Sequence, residues 1–394
     1  MEGSVLVVNC GSSSLKLALY ENAEATIPTT EATAERLGTE QASLTVSGDL
    51  EFQTSGMMDH KAALTAFIDA ASTQLKGLCG IGHRVVHGGE SFINSCVLNQ
   101  STISDLKKVS GLAPLHNPMN LMGIDLCGEL LPEVPNVAVF DTAFHQTIPE
   151  STFLYGVPYH WYEEYGVRRY GFHGTSYRFV VGETARRLQQ SPEDLNLIIA
   201  HLGNGCSACA IRQGKSVDTT MGLTPLEGLV MGTRSGDIDP GLIEFMSQTT
   251  ETSLSELMTV LNRESGLLGL SGGLSNDMRT LLDAESDGNE AARRAIDAFC
   301  FRTARQLAAL STNFTHTDAV VFTGGIGEHS GVIRQRILAH WKNIPYRLNA
   351  AFNEANGNEN GRISEQGTPL VMVVPTDEER MIAQDTYRLT SDHD

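Results

Sequence analysis

Apolar residues follow two spacings along the chain, and these predict strands and helices in alternation. Short continuous apolar runs predict buried strands at residues 5–8, 137–140, 197–200 and 319–322. Helical spacing, with apolar residues three and four positions apart, predicts helices at residues 61–78, 103–109, 120–130, 177–188, 254–261, 290–311 and 332–341. This alternation indicates an α/β protein.

Two predicted hairpins have turns rich in glycine, serine and asparagine. The strand at 5–8 runs into Asn-Cys-Gly-Ser-Ser-Ser at 9–14, after which apolar and polar residues alternate. The strand at 197–200 runs into His-Leu-Gly-Asn-Gly at 201–205, and residues 206–211 then alternate as a strand. The repeated pattern predicts an internal duplication.

Three segments have weak periodicity. Residues 21–60, rich in Thr, Ser, Glu and Ala, predict short antiparallel strands and exposed loop, and the polar stretch 353–367 predicts a loop. Residues 391–394 are expected to fray.

The glycine-rich segment 325–330 is expected to connect the strand at 319–322 to a helix, with Ser330 as its N-cap.

Net charge excludes some classes of partner. The chain has 394 residues, which suggests two or three domains, and 28 Lys+Arg against 47 Asp+Glu give a net charge of −19. Such a surface repels phosphate backbones and anionic lipid, so neither nucleic acid nor membrane is expected as a partner. No apolar run approaches the ~18 residues of a membrane span, and the N-terminus lacks the basic region of a signal peptide. We expect a cytoplasmic protein.

The seven cysteines are odd in number and scattered, which favours reduced thiols over a disulfide framework. Cys206 and Cys209 have the spacing of a redox or zinc pair, but the alternating pattern around them favours a structural role. His83 and His87 have ligand-like spacing in a predicted strand, without an obvious third ligand, so zinc is a minor alternative.

Three common phosphate-binding patterns do not fit. Gly214-Lys215-Ser216 ends like a P-loop, but Cys209 stands where the first glycine is required. The dinucleotide-like pattern at 203–208 enters a strand instead of a helix, and the one at 325–330 lacks the acidic residue expected about 20 positions later. Glycine-rich hairpin turns, whose backbone N–H groups bind anions without net positive charge, remain as the alternative.

Five polar residues stand in sequence contexts typical of sites. Arg84 and Arg234 are flanked by small residues, which suits bidentate recognition of a carboxylate or phosphate, although each alone is compatible with an ordinary ion pair. Asp141 directly follows the strand at 137–140. His116 and His173 lie in turn-forming sequence rather than in core. Together they indicate a polar site.

Taken together, the motifs are similar to those of the acetate kinases, in the same order over nearly the whole chain. The segments that carry the resemblance are 9–16, 82–90, 113–117, 140–145, 171–176, 201–205, 224–240 and 323–328. The resemblance implies two duplicated actin-like (ribonuclease H-like) α/β domains around a nucleotide cleft. The expected domains are 1–145, joined by a C-terminal helix at 380–394, and 146–379.

The resemblance also implies roles for individual residues. The implied catalytic residues are Asp141, His173 and Arg234. The implied acyl-substrate residues are Arg84, Val86, Leu115, His116, Phe172 and Pro225. The implied nucleotide-binding residues are Ser12, Lys16, His201, Leu202, Gly203, Asn204, Gly205, Asp277, Met278, Arg279, Gly325, Ile326, Gly327, Glu328 and His329. Asn9 and Glu378 match the positions that hold Mg²⁺, for which Mn²⁺ is a possible substitute.

The implied activity is reversible, direct in-line phosphoryl transfer between ATP and acetate, giving acetyl phosphate and ADP, in a homodimer. Propionate or butyrate kinase is the nearest alternative, and a non-catalytic nucleotide-switching protein is an alternative from another class. Because a carboxylate is already a competent nucleophile, Asp141 is expected to organise Mg²⁺-bound water or an arginine more than to move a proton. Tyr177, Met278 and His329 depart from the usual family residues, and the last two leave nucleotide preference open.

Overall fold

The structure, a computed structural model, describes residues 3–114 and 116–391. The chain separates into two compact units. Unit 1 comprises the described residues of Met1–Gln146, Gly174–Ser176 and Asp377–Asp394, and unit 2 comprises Thr147–His173 and Tyr177–Thr376. The predicted fraying of the last residues falls mostly on 392–394, outside the described part.

The sheet of unit 1 has eight strands in the order β5-β4-β3-β2-β1-β6-β8-β7. Strand β1 pairs antiparallel with β2 and parallel with β6, and β6 pairs parallel with β8. The strands are β1 (Ser4–Cys10), β2 (Ser14–Tyr20), β3 (Thr30–Glu35), β4 (Ser43–Gly48), β5 (Phe52–Ser55), β6 (Leu78–Val85), β7 (Cys96–Val97) and β8 (Asn136–Phe140).

The sheet of unit 2 has five strands in the order β11-β10-β9-β12-β13. They are β9 (Asn196–Leu202), β10 (Cys206–Arg212), β11 (Lys215–Thr219), β12 (Ala319–Thr323) and β13 (Leu370–Val373). Their pairing directions, antiparallel across the hairpins and parallel from β9 through β12 to β13, repeat those of β3-β2-β1-β6-β8. The predicted duplication of an α/β unit is confirmed.

Fifteen α-helices lie in the described part of the chain. They are α1 (His60–Ala70), α2 (Gln100–Val109), α3 (Asn117–Leu130), α4 (Glu150–Phe153), α5 (His160–Tyr165), α6 (Gly174–Leu188), α7 (Gly241–Thr250), α8 (Leu254–Arg263), α9 (Gly266–Leu270), α10 (Met278–Ser286), α11 (Glu290–Leu310), α12 (Gly324–His329), α13 (Gly331–His340), α14 (Ala350–Glu354) and α15 (Glu378–Ser391). Short 3₁₀ turns occur at Ser110–Leu112, Ala143–Thr147, Pro192–Asp194 and Ser311–Asn313.

Side chains of unit 1 pack on both faces of its sheet, as the alternation of β1 requires. Leu6 and Val8 face a core that includes Phe67 of α1 and Cys127 of α3. Val5 and Val7 face the other side, where they pack with Ile382, Ala383 and Tyr387 of α15. The C-terminal helix therefore completes the core of the unit that contains the N-terminus.

Two glycines in β6 let α15 approach the sheet closely. A Cβ at Gly80 would lie 2.7 Å from Cγ2 of Thr386, and a Cβ at Gly82 would collide with Thr386 and lie 2.6 Å from Cγ2 of Ile382. Because glycine alone leaves this space, the close packing of α15 depends on both positions.

The structure corrects three details of the predicted elements. The helix predicted at 61–78 ends at Ala70. Leu75 lies in a turn and Leu78 in β6, but both pack against the same core as α1, so their positions in the sequence imitate the spacing of a longer helix. Residues 206–211 are buried on both faces instead of alternating, since the small side chains of β10 pack under elements such as α11. The glycine-rich connection at 325–330 is mostly the short helix α12, and Ser330 caps α13 by accepting from the backbone N–H of Ile333, as predicted.

Candidate active site

Four polar residues of unit 1 lie on one face of its sheet. Asn9, Arg84 and Asp141 stand at the carboxyl ends of the parallel strands β1, β6 and β8, in phase with residues that contact α15. Glu378 is the first residue of α15, which Asp377 caps by accepting from the backbone N–H of Arg380 at 3.0 Å. The carboxyl edge of a parallel sheet is where α/β folds place ligands.

Arg84 and Asp141 form a bidentate pair. Nε of Arg84 donates to Oδ1 of Asp141 at 3.0 Å, and Nη2 donates to Oδ2 at 2.6 Å. Asp141 is 1% exposed, and burial raises the pKa of its carboxyl while the guanidinium of Arg84 opposes that rise. Asp141 in turn raises the pKa of Arg84, which stays charged. Oε2 of Glu378 lies 3.9 Å from Nε of Arg84.

The hairpin of β1 and β2 presents polar side chains from both strands. Asn9 lies directly opposite Lys16, and the turn is closed by the backbone N–H of Gly11, which donates to the carbonyl of Ser14 at 2.9 Å. Within residues 3–114 and 116–391, the side chains of Asn9, Ser12 and Lys16 form no hydrogen bond. The predicted turn therefore exposes groups that a phosphate or a cation can use.

Two asparagines of α3 hold the chain beyond β6 and were not predicted. Oδ1 of Asn120 accepts from the backbone N–H of Val86 at 3.1 Å, and its Nδ2 donates to the carbonyl of Cys10 at 3.1 Å. Asn117 brackets the backbone of His87 in the same way, at 3.1 and 2.8 Å. The signal available in the sequence was two amides three positions apart on the otherwise apolar face of a helix.

The remaining acyl-substrate residues are divided between the units. Val86 is buried in unit 1. His116 is exposed at the start of α3, and its electrostatic interaction with Asp141 opposes the rise in the pKa of that carboxyl. Phe172 is buried in unit 2. Leu115 lies outside the described residues. The predicted apolar lining thus includes two buried side chains whose roles remain predictions.

His173 of unit 2 has an unusual backbone and a fixed ring. Its φ of 58° and ψ of 23° lie in the left-handed region, which costs energy for a non-glycine residue and is concentrated at functional sites. The ring stacks on His201 with centroids 4.3 Å apart, and Nδ1 lies 2.8 Å from Oγ of Ser207. His201 and Ser207 are directly opposite on β9 and β10, so both meet His173 from one face of the sheet.

Gly205 lies beside two side-chain nitrogens. A Cβ at this position would be 3.2 Å from Nη2 of Arg234 and 3.5 Å from Nε2 of His173. Nη1 of Arg234 donates to the carbonyl of Pro225 at 2.8 Å, which links two residues of the predicted site. An arginine and a histidine directed at one glycine form a small cradle suited to an anion.

Apart from Ser12 and Lys16 in unit 1, the predicted nucleotide residues lie in three segments of unit 2. The turn at 203–205 is closed by a bond from the N–H of Gly203 to the carbonyl of Gly205, 3.2 Å long. Asp277 caps α10 through the N–H of Thr280, which lowers the pKa of its carboxyl, whereas Arg279 is 90% exposed. Glu328 accepts from the backbone N–H groups of Gly324 and Thr376, at 2.9 and 3.1 Å.

Arg334, which was not predicted, anchors the glycine-rich helix α12. The side chain is fully buried, and Nη1 donates to the carbonyls of Gly327 and Glu328 at 2.8 and 2.9 Å. Its Nε donates to Oδ1 of Asn353 at 2.9 Å. Burial lowers the pKa of Arg334 to about 10. The helix is therefore fixed by a cation whose partners are carbonyls and amides.

The alternative metal and redox sites gain no support. No group of three or more His, Cys, Asp or Glu side chains arranged for a metal occurs among the residues that the structure describes. All seven cysteines are free thiols, and burial raises the pKa of Cys206 to about 12. His83 is buried, with Nε2 2.7 Å from Oδ1 of Asn136.

No helix within the described ranges is long and apolar enough to cross a membrane.

Comparison with known proteins gives a consistent result. The model of the acetokinase family matches residues 4–384. A curated sequence from Stutzerimonas stutzeri, named acetate kinase, is 49% identical over 98% of both chains. A solved propionate kinase from Francisella tularensis superimposes with a TM-score of 0.94 at 40% identity over 98% of this chain and 100% of that one. Porphyromonas gingivalis acetate kinase gives a TM-score of 0.91 at 36% identity, covering 98% and 99%.

The fold, the arrangement of arginines and carboxylates and these similarities define a phosphotransferase with a carboxyl group as acceptor. More specifically, the chain belongs to the acetokinase family. ATP is the phosphoryl donor in this family, and small carboxylic acids are the acceptors. The prediction of a kinase made from the motifs is confirmed.

Proposed function

We propose that this protein transfers the γ-phosphoryl group of ATP to acetate in one reversible in-line step, with Mg²⁺ bound by Asn9 and Glu378. The products are acetyl phosphate and ADP. In this proposal Arg84 binds the carboxylate, and His173 and Arg234 stabilise the transferred phosphoryl group. The hairpin turns and α12 bind the nucleotide.

The observation that carries the proposal is the way Asp141 holds Arg84. Asp141 engages Nε and Nη2, which leaves Nη1 without a hydrogen bond to any residue in the described part of the chain. The Arg84 side chain is 24% exposed, so this nitrogen can meet a ligand. A guanidinium fixed on one edge and open on the other is suited to bind a carboxylate or phosphate oxygen.

The residues of unit 1 fit a magnesium ion. The amide of Asn9 has no hydrogen bond within the described residues, and the one ion pair of Glu378 there is the 3.9 Å approach to Arg84. Mg²⁺ in kinases is held by one or two protein oxygen ligands together with phosphates and water, so a pair of oxygen donors is sufficient. When bound, Mg²⁺ supplies charge neutralisation on the β- and γ-phosphates.

Phosphoryl transfer to a carboxylate requires little proton transfer by the protein. A carboxylate nucleophile is already ionised at neutral pH, so the protein's work is positioning and charge stabilisation. Asp141 fits this, since both of its oxygens are occupied by Arg84. Nη2 of Arg234 is a donor, and Nε2 of His173 is a second donor when it carries the ring proton. Both lie beside Gly205, where they can stabilise the negative charge on the three equatorial oxygens of the transferred group.

A longer acyl chain is the second candidate. The solved structure with a TM-score of 0.94 to this chain is described as a propionate kinase. One methylene changes discrimination by only about 1–3 kcal/mol, so both acids are candidate substrates of one pocket. Acetate is favoured because the sequences 44–49% identical to this chain are named acetate kinase.

Assembly and location are further parts of the proposal. Val157, Tyr159, Trp161 and Tyr165 expose between 41% and 66% of their area around α5, and such a cluster supports a homodimer. The free thiols support a reducing compartment, for which we propose the cytoplasm.

Hydroxamate trapping tests the reaction directly. Purified protein is incubated with ATP and Mg²⁺ plus acetate, propionate or butyrate in parallel, and hydroxylamine converts any acyl phosphate to a coloured hydroxamate. We expect product with acetate and less with butyrate. Absence of acyl phosphate from all three acids would refute the proposal. A preference for propionate would identify propionate, and not acetate, as the substrate.

A further inference from the structure

A buried pair of hydroxyls lies behind His173. Oγ of Ser207 is 2.8 Å from Nδ1 of His173 and 2.5 Å from Oη of Tyr177. Ser207 and Tyr177 are both fully buried in unit 2. Tyr177 follows His173 by one helical turn, and its backbone N–H donates to the carbonyl of His173 at 3.0 Å. The ring, the serine and the phenol therefore form one hydrogen-bonded row.

The single proton of Ser207 and the acidity of Tyr177 together determine which groups in this row donate and which accept. Ser207 has one hydroxyl proton for two partners, so at least one of them must donate to it. A phenol is more acidic than an aliphatic alcohol, and Tyr177 is accordingly the better donor. When Oη of Tyr177 donates to Oγ of Ser207, the proton of Ser207 is directed at Nδ1 of His173. Nδ1 then acts as an acceptor, and the ring proton is on Nε2.

We infer that Tyr177 and Ser207 are positioning residues that keep His173 as the tautomer protonated on Nε2. The inference rests on the proposed function, in which His173 donates to the transferred phosphoryl group. Nε2 is directed at Gly205, beside Nη2 of Arg234. The other tautomer would turn a lone pair toward the phosphoryl oxygens, which would repel them.

The stacking of His201 on the ring contributes to the same result. With centroids 4.3 Å apart and planes at 21°, His201 covers one face of His173, and Ser207 holds one edge. A flip of the imidazole would exchange Nδ1 for a carbon beside Ser207 and break the bond. The row therefore selects both the protonation site and the ring orientation, before substrate binds.

Nitrogen NMR tests the tautomer independently of activity. Protein labelled with ¹⁵N-histidine gives long-range ¹H–¹⁵N correlations in which protonated and unprotonated ring nitrogens are well separated, and His173 is assigned by its loss in His173→Gln. We expect His173 to carry its proton on Nε2 near neutral pH. A proton on Nδ1, or fast exchange between both nitrogens, would overturn the inference whether or not kinase activity is found.

Kinetics of the variants test the consequence for catalysis. Tyr177→Phe and Ser207→Ala are expected to lower kcat by about 10-fold or more, as loss of the partner that orients a catalytic histidine does, with both KM values within about twofold. Ser207→Thr keeps the hydroxyl and should retain most activity. Tyr387→Phe is the matched control, because its buried hydroxyl bonds the carbonyls of Gly3 and Tyr20 in unit 1. Unchanged kcat in folded Tyr177→Phe and Ser207→Ala would overturn the inference.

Discussion

The guanidinium of Arg84 donates two hydrogen bonds to the carboxylate of Asp141, 3.0 and 2.6 Å long, on the face of the sheet that α15 covers. Asp141 is thereby committed to Arg84, and Nη1 of Arg84 has no hydrogen bond within the described residues, as its proposed role in binding the acyl substrate requires. The sequence allowed Asp141 either to organise Mg²⁺-bound water or to orient an arginine. The observed contact favours the second role.

Asp141→Asn should raise the KM for the acyl substrate by about 10-fold or more. The amide accepts only one of the two bonds, and a hydrogen bond to a charged group is worth about 1.5–3 kcal/mol. Steady-state rates at varied acetate and varied Mg²⁺ separate the two roles. The account predicts little change in half-saturating Mg²⁺, whereas a defect confined to Mg²⁺ would show that Asp141 acts on the metal. Asp105→Asn is the control, since Asp105 pairs with Lys108 on the surface.

Arg234→Ala should lower kcat by about 10²-fold or more, because a donor to the developing charge is removed from a preorganised site. The same variant distinguishes an enzyme from a nucleotide-switching protein, which would not need Arg234 for its function. Arg293→Ala is the matched control, since Arg293 forms ion pairs with Glu290 and Asp297 on α11. Comparable turnover in the two variants would remove Arg234 from the catalytic site.

Gly82→Ala should displace α15 and weaken metal binding. The added Cβ would collide with Thr386 and approach Ile382, and overpacking of this kind costs about 1–3 kcal/mol of stability. Because Glu378 begins α15, half-saturating Mg²⁺ should rise with the fall in melting temperature. Gly128→Ala in α3 is the control, since a Cβ there meets no atom within 4 Å. A lower melting temperature with an unchanged Mg²⁺ requirement would show that Mg²⁺ binding does not depend on the packing of α15.

His83 should make the protein less stable in mild acid. Burial lowers the pKa of its imidazole from 6.5 to about 4. Between these values the unfolded state binds the additional proton, so stability is full above about pH 6.5 and falls as the pH drops toward 4. The integrated loss is about 3 kcal/mol.

His83→Gln tests this dependence, because the glutamine amide can still donate to Asn136 but does not titrate. Urea unfolding at about pH 7.5 and about pH 5 should show a smaller loss of stability in the variant than in the natural protein. His160→Gln, at an exposed position on α5, is the control. An equal loss in all three proteins would show that His83 does not cause the acid sensitivity.

Local patterns in the sequence predicted those parts of the fold that depend on neighbouring residues. The hairpin turns at Gly11 and Gly203, the strand that ends just before Asp141 and the cap at Ser330 each follow from a few adjacent side chains. They are the features that turn and capping chemistry determines.

Contacts between distant segments could not be predicted in the same way. The row from His173 to Tyr177 depends on Ser207, which the pairing of β9 with β10 brings opposite His201. Asn120 binds Val86 and Cys10, residues 34 and 110 positions away. Such pairs require the register of the sheet, and a single polar residue in an apolar stretch does not identify its partner.

The most direct measurement of the central claim is ³¹P NMR of ATP, Mg²⁺ and acetate with the natural protein and with Arg84→Gln. The account predicts that the γ-phosphate signal of ATP is replaced by that of an acyl phosphate, in equal amount, and that Arg84→Gln forms it far more slowly. Inorganic phosphate in place of acyl phosphate, or equal rates in the two proteins, would contradict the assignment of Arg84 as the residue that binds the phosphoryl acceptor.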